Sequence, residues 1–323
     1  MEMLPEFQLH RPRSVGDAIS LRAAHPGARF LAGGTDLMPA MRRGLVDARD
    51  LIDLSGVAGL AGIGATEQGL RIGAATTLED LAQSPEVLDR APVLAQAALC
   101  IAGPTHRVAA TVGGNLCLDT RCRYYNQSES WRSANNYCLK LLGDGCRVAR
   151  KATRCFAAFS GDLAPALLVL DAEVEIAGTG AVRRAPLAQL YADDGINFLN
   201  LAPQELLVAV HVPMRPGWHV AYEKVRLRAA IDFALAGVAV AVLCKDGCID
   251  DLRVACTGTN SFPLRLGGLE NLRGKRLDES FLAQVDKRFE EQVNIMETTV
   301  ASSLYRRRVT VSLIRRLLLR LAG

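Results

Sequence analysis

Apolar positions in this chain come in short runs separated by polar turns, and the runs alternate between two periods. Ala28 to Ala32, Leu51 to Leu54 and Leu70 to Ala74 are brief and bounded by turn residues, which predicts strands. Asp36 to Gly44 predicts a short helix that stops at glycine, and Thr77 opens another with Glu79 and Asp80 in its first turn, where negative charge is favoured. Pro92 to Ile101 is apolar and alanine-rich, as in a buried helix. Leu163 to Ile176 reads as a helix turning into a strand, and Leu206 to Val212 as a strand closed by Pro213. After a boundary at Arg215-Pro216-Gly217, Ala236 to Leu243 and Leu252 to Gly258 read as strands joined through Asp246-Gly247. Phe281 to Leu321 is mostly helical, and its Arg306-Arg307-Arg308 and Arg315-Arg316 fit a docked terminal helix with a solvated basic face.

One segment breaks this pattern. Arg121 to Cys155 is polar, poor in aliphatics and carries Cys122, Cys138, Cys146 and Cys155. It holds eight basic and two acidic residues, a net of +6 in a chain whose total is +4, so the rest sums to −2. A long irregular stretch inside a compact protein is either functional or disordered, and the four cysteines argue against disorder.

The remaining composition is ordinary. The 323 residues are 50 % hydrophobic and 22 % charged, enough for two or three packed units. The overall charge gives no reason to expect nucleic acid or a membrane as partner, and no apolar run reaches the roughly 18–20 residues of a membrane span. Met-Glu-Met-Leu-Pro-Glu-Phe lacks the basic-then-apolar pattern of a signal peptide, so a cytoplasmic location is expected. Nine cysteines, an odd number, do not suit a disulfide framework. Cys100, Cys244 and Cys256 lie among apolar neighbours and read as packing residues, as does Cys117.

Two glycine segments stand out: Ala32-Gly33-Gly34-Thr35-Asp36 and Thr111-Val112-Gly113-Gly114-Asn115. Glycine lets backbone amides approach a ligand closely, and successive amides in such a turn form an anion site. A helix follows the first loop directly and adds its positive end, which suits the phosphates of a dinucleotide. Each loop alone is also compatible with a tight turn, with Thr35 or Asp36 as a helix cap. There is no G-x-G-x-x-G after a strand, and Gly274-Lys275 is followed by Arg276, which rules out a Walker A loop.

The two loops, in this order, resemble the FAD-binding medium subunits of the xanthine oxidase and carbon monoxide dehydrogenase family. Gly103-Pro104-Thr105-His106-Arg107, the run Ser160 to Leu167, Tyr222-Glu223-Lys224-Val225-Arg226 and Tyr305-Arg306-Arg307 continue the likeness over essentially the whole chain. The resemblance implies an α+β fold: a two-subdomain FAD-binding domain of the PCMH/vanillyl-alcohol-oxidase kind, then a smaller α+β C-terminal domain. The expected bounds are 1–57, 58–216 with the insert at 121–155, and 217–323. It implies that Arg29, Phe30, Leu31, Ala32, Gly33, Gly34, Thr35 and Asp36 wrap the pyrophosphate, and that Thr111, Gly113, Gly114 and Asn115 lie beside the isoalloxazine. Asp162 and Lys224 would contact the flavin or its ribityl chain; taken without the motif, they read as a helix N-cap and an exposed strand residue.

The cysteines of the insert are separated by fifteen, seven and eight residues. Four thiolates hold a 4Fe–4S cluster or a zinc ion, and without a C-x-x-C the spacing alone leaves iron–sulfur, zinc and unliganded thiols all open. A cysteine-bearing insert at this place resembles the 4-hydroxybenzoyl-CoA reductase branch of the family. That resemblance implies FAD and one 4Fe–4S cluster in this chain, a molybdenum-cofactor α subunit and a 2Fe–2S γ subunit as partners, and reduced ferredoxin as electron donor. The rival expectations are a conventional hydroxylase subunit delivering electrons to NAD or a quinone, and a non-redox, zinc-stabilised scaffold.

Overall fold

A computed structural model describes residues 4–322. Residues 1–3, the start of the segment read as lacking a signal peptide, lie outside the described residues.

The chain builds three sheets in succession. The first has β1 (Gln8–His10), β2 (Arg29–Leu31) and β3 (Asp50–Asp53), all parallel in the order β1-β3-β2. Helices α1 (Val15–Ala24) and α2 (Leu37–Arg42) make the connections. Ser14 caps α1 by accepting from the Asp17 amide at 3.0 Å.

The second sheet pairs β4 (Ile63–Thr66) with β5 (Gly69–Gly73), and later receives β6 (Glu173–Ala177), β7 (Val182–Pro186) and β8 (Leu206–Pro213) in the order β4-β5-β8-β6-β7. Between β5 and β6 run α3 (Leu78–Gln83), α4 (Pro85–Arg90), α5 (Pro92–Leu99), α6 (Pro104–Arg107), α7 (Val112–Leu116), α8 (Glu129–Ala134) and α9 (Leu163–Val169). Every residue of α9 is buried, and it packs with α5 in the main hydrophobic core. The helix opened by Thr77 ends at Ser84, because Pro85 has no amide to continue it and starts α4 instead.

The third sheet is an antiparallel meander of β9 (His219–Val225), β10 (Ala236–Lys245), β11 (Cys248–Thr257) and β12 (Leu264–Arg265), covered by α10 (Glu279–Gln292) and α11 (Ser303–Ala322). Asp246 and Gly247 both take positive φ and form the tight turn of the β10–β11 hairpin. The helical tail breaks at residues 293–302. Its basic face is more committed than a solvated stripe: Arg306 is fully buried, and Arg315, Arg316 and Arg320 pair with carboxylates. Cys256 is core, whereas Cys244 is exposed because it lies beyond the sheet interior near the hairpin end, against its reading as a packing residue. Among the described residues no helix is long and apolar enough to cross a membrane.

Candidate functional site

A cavity of about 880 Å³ lies where the first sheet, the helices of the second unit and the start of the third meet. It falls within the range of cofactor sites. Arg29, Phe30, Ala32, Gly33, Gly34, Thr35 and Asp36 line one side, Thr111, Gly114 and Asn115 another, and Asp162 and Lys224 the floor. Leu31 and Gly113 do not line it. Gly113 instead sits against the Ala74 backbone, where a Cβ would come within 2.9 Å of the carbonyl oxygen, so its smallness serves helix packing.

The loops are shaped by backbone needs. A Cβ on Gly33 would stand 1.8 Å from the Ala109 carbonyl oxygen, so only glycine lets the first loop touch the lead-in to the second. Gly34 has φ +69°, the left-handed region. Thr111 caps α7 by accepting from the Gly114 amide at 3.1 Å. Asn115 Oδ1 accepts from the Leu163 amide at 3.1 Å and so ties the second loop to α9.

Asp162 stands at the N-cap position of α9 but makes no capping hydrogen bond. Its carboxylate accepts from Lys224 Nζ at 2.9 Å and from the Tyr222 hydroxyl at 2.5 Å. The Asp162 and Lys224 side chains are 4 % and 2 % exposed, which removes the reading of Lys224 as an exposed strand residue. Burial pushes the Asp162 carboxyl above the usual carboxylate range, against the pull of Lys224 and Tyr222. This buried ion pair joins the α9 end of the second unit to β9 of the third and faces the cavity. Asp36 likewise makes no capping bond; it accepts from Arg121 Nη2 at 2.6 and 2.7 Å.

Lining residues that the glycine motifs did not reveal include four from the insert: Arg121, Tyr125, Asn126 and Lys140. Their charge and aromaticity were visible in sequence, but nothing there placed them against the loops. Three buried polar atoms without partners, His106 Nδ1, Arg121 Nε and Asn126 Oδ1, belong to residues lining the cavity. Orphaned buried polar atoms are costly, and their concentration here fits a polar ligand with its own donors and acceptors.

The four insert cysteines line a second, small cavity together with Tyr124, Tyr125 and Lys140. None of the nine cysteines forms a disulfide. Ala157 N–H donates to Cys155 Sγ at 3.4 Å, and the nearby amides of Tyr124 and Tyr125 favour the thiolate of Cys122 as those of Phe156, Val148 and Ala149 favour that of Cys146. Cys146 and Cys155 lie close enough to share a proton, which lowers the pKa of Cys146 to about 5 and raises that of Cys155. Such donors suit anionic sulfur. Among the described residues the only group of three or more candidate ligands with all ligand atoms within 4.8 Å is His10, His25 and Asp50, so no three of these sulfurs are that close. A tetrahedral zinc with Zn–S of ~2.3 Å would bring all four sulfurs to about 3.8 Å of one another. A cluster seats each thiolate on its own iron and spaces the sulfurs more widely, so Cys146 and Cys155 would part to hold one. Tyr125 and Lys140 line both cavities and form their shared wall. Lys140 Nζ donates to Asp119 at 2.6 Å, to the Thr120 hydroxyl and carbonyl, and to the Gly195 carbonyl, and lies 4.9 Å from the Tyr125 ring centroid.

Comparison with known proteins defines the class. Residues 5–215 match the family described as FAD binding domain in molybdopterin dehydrogenase, and residues 220–321 match the CO dehydrogenase flavoprotein C-terminal domain. The chain belongs to this family of FAD-binding oxidoreductase subunits. It is 36 % identical over 276 residues to the aldehyde oxidoreductase FAD-binding subunit PaoB of Escherichia coli (strain K12), covering 80 % of this chain and 83 % of that protein. It is 30 % identical to the carbon monoxide dehydrogenase medium chain of Hydrogenophaga pseudoflava, covering 84 % and 81 %. The reconstituted CO dehydrogenase from Oligotropha carboxidovorans superposes with a TM-score of 0.82 at 26 % identity over 99 % of both chains. The expected α+β architecture, an FAD-binding domain followed by a smaller C-terminal domain, is therefore correct.

Proposed function

We propose that this chain is the flavin- and 4Fe–4S-carrying electron-transfer subunit of a molybdenum-dependent complex of the 4-hydroxybenzoyl-CoA reductase kind. The observation that carries the reading is the shared wall: the thiol cavity and the flavin-sized cavity are separated by Tyr125 and Lys140. Cys122, Cys138, Cys146 and Cys155 hold the cluster, and the amides around them stabilise its anionic sulfurs. The residues of the two glycine loops hold FAD, with Asp162 and Lys224 at the floor. FAD accepts and releases electrons one or two at a time, which suits a carrier between one-electron centres. Substrate chemistry, the reductive dehydroxylation of a CoA ester, belongs to a molybdenum α subunit, and a γ subunit with 2Fe–2S clusters lies between. The likeness to medium chains and FAD-binding subunits of CO dehydrogenase and aldehyde oxidoreductase supports the need for such partners. Reduced ferredoxin is the donor, and the insert is its point of entry. Arg123, Arg147, Arg150 and Lys151 are exposed there and have no carboxylate within 4.0 Å among the described residues.

Iron, sulfide and flavin content of the purified complex tests the reading, with iron and sulfide expected in excess of what the 2Fe–2S clusters account for, beside one FAD in this chain. Zinc in place of iron would make the insert a scaffold. Flavin with no zinc and no iron beyond that of the 2Fe–2S clusters, together with ready reduction of NAD or a quinone, would make the chain a conventional hydroxylase subunit. The flavin is expected to be non-covalent, since no histidine stands in either glycine loop and His106 is the nearest. Acid precipitation should release it, and yellow colour left in the pellet would contradict this.

A further inference from the structure

At the far edge of the first sheet, three side chains converge that neither cavity uses. His10 ends β1, Asp50 opens β3, and His25 is the residue that closes α1. Asp50 Oδ1 lies 2.7 Å from His10 Nε2 and 3.5 Å from His25 Nδ1, and the three ligand atoms all fall within 4.8 Å of one another. The imidazole rings stand 4.5 Å apart at 41°. We propose that His10, His25 and Asp50 form a binding site for a first-row divalent cation of the zinc class.

Two neutral imidazoles and a carboxylate are the donor set that zinc and its neighbours take when solvent or another ligand fills the remaining positions. Metal–ligand distances of ~2.0–2.2 Å require ligand atoms about 3.3–3.6 Å apart, so the trio needs shifts of about an ångström. The side chains are 11 %, 35 % and 26 % exposed, for His10, His25 and Asp50, which gives an ion an entry path and a partly desolvated seat. One carboxylate oxygen serving two adjacent rings is an uneven arrangement for protons, since His25 is left at the limit of hydrogen bonding. A dication would satisfy both rings at once. The nearby Arg22 is turned away to the carbonyls of His25 and Pro26. Magnesium, which prefers all-oxygen shells, is a poor match.

The consequence reaches the flavin site. β3 pairs with β1 on one side and with β2 on the other, and the first glycine loop continues directly from β2. A metal tying β1, the end of α1 and β3 would stiffen the sheet that carries that loop. Stabilisation by a ligand that binds only the folded state follows mass action.

The test uses the flavin- and iron-loaded complex, so that the cysteine cavity does not compete for added metal. Equilibrium dialysis against zinc should give one zinc per copy of this chain, an upward shift in melting temperature and slower flavin release, and magnesium should give none of these. His25→Ala and the milder His25→Gln, at a partly exposed position, should each weaken zinc binding by at least about tenfold, the lower range for loss of even an outer-shell partner. Asp50→Asn should do the same. Unchanged zinc stoichiometry and affinity in both His25 variants would overturn the site, and so would the absence of any zinc-dependent shift in the unmodified complex.

Discussion

The flavin cavity and the cysteine insert are neighbours held in shape by opposite means. The cavity is framed by regular elements, and its glycine loops offer backbone: Gly33 rests on Ala109, and Gly34 turns through positive φ. The insert has one six-residue helix, α8, and no strand. Its fastening is by charge. Arg121 holds Asp36, Arg132 donates to the carbonyls of Arg43, Gly44 and Gln127, Lys140 holds Asp119 and Gly195, and Arg154 pairs with Asp193. Side-chain donors to buried carbonyls replace the ladders that a sheet would have supplied. The insert therefore keeps its place without its thiols, whereas the cavity depends on the absence of side chains at its glycines. Substitutions should separate the two regions cleanly.

The largest expected effect is at the thiols. Cys138→Ser or Cys146→Ser should abolish the 4Fe–4S signal and leave FAD bound, because the ion pairs of Arg121, Lys140 and Arg154 and the Arg132 hydrogen bonds to the Arg43 and Gly44 carbonyls are untouched. Iron and flavin assays on the purified variants decide it. Full iron in both would dissolve the quartet, and simultaneous loss of flavin would show that the ligated group, not the charge anchors, shapes the shared wall.

Next in size is the buried pair beneath the cavity. Lys224→Met leaves the Asp162 carboxylate buried without its cation, which costs about 3–5 kcal/mol when one partner of such a pair is removed. The double variant Asp162→Asn, Lys224→Met should be less destabilised than Lys224→Met alone, as measured by urea denaturation. Burial already raises the Asp162 carboxyl, and without Lys224 its protonated form is favoured further in the folded state. A folded-state pKa above the unfolded value gives stability that is lost as pH rises, so Lys224→Met should weaken with increasing pH across that carboxyl's titration. A pH-independent loss would mean that packing, not charge, is what Lys224 supplies.

A smaller effect tests the glycine side of the contrast. Gly33→Ala puts a methyl against the Ala109 carbonyl, and overpacking of this kind costs about 1–3 kcal/mol. The expected outcome is weaker flavin retention with iron content unchanged, the mirror image of the cysteine variants. Flavin affinity equal to the parent would show that the two loops separate without cost.

These two regions also differ in how far sequence revealed them. The glycine loops were legible because their chemistry is local, although each pair alone also suits a tight turn and only the two in order, with the flanking motifs, pointed to a dinucleotide. Leu31 and Gly113, adjacent to lining residues, do not line the cavity: successive residues of strand β2 face opposite ways, and Gly113 of α7 packs on Ala74, which a motif does not reveal. The cysteines were legible as a set, but the contacts that place Lys140 and Tyr125 between the cavities join residues far apart in sequence, as do Arg121 with Asp36 and Lys140 with Gly195. No periodic signal encodes such pairs. Arg306 was misread for the same reason: in an arginine run it looks solvated, and it is the buried donor to the carbonyls of Leu235, Gly258 and Met296.

The smallest effect concerns the charges of the insert that have no carboxylate partner among the described residues. Of its eight basic residues, Arg121, Arg132, Lys140 and Arg154 are engaged in ion pairs, and Arg123, Arg147, Arg150 and Lys151 remain exposed. The anchoring half belongs to the fold, and of the eight basic residues Lys140 and Arg147 line the thiol cavity. The exposed half is available to an acidic donor such as ferredoxin. Steering by exposed charge depends on salt, because the screening length falls from ~30 Å at 0.01 M to ~10 Å at 0.1 M ionic strength. Arg150→Glu with Lys151→Glu should slow reduction by ferredoxin at low salt and flatten its salt dependence, measured by stopped-flow bleaching of the flavin. Reduction by a small uncharged donor should keep its rate. If both donors slow equally, the two residues act on the cluster's surroundings, and the division of the insert into anchoring and docking halves fails. If neither slows, docking lies elsewhere, and the free charges are only solvated surface.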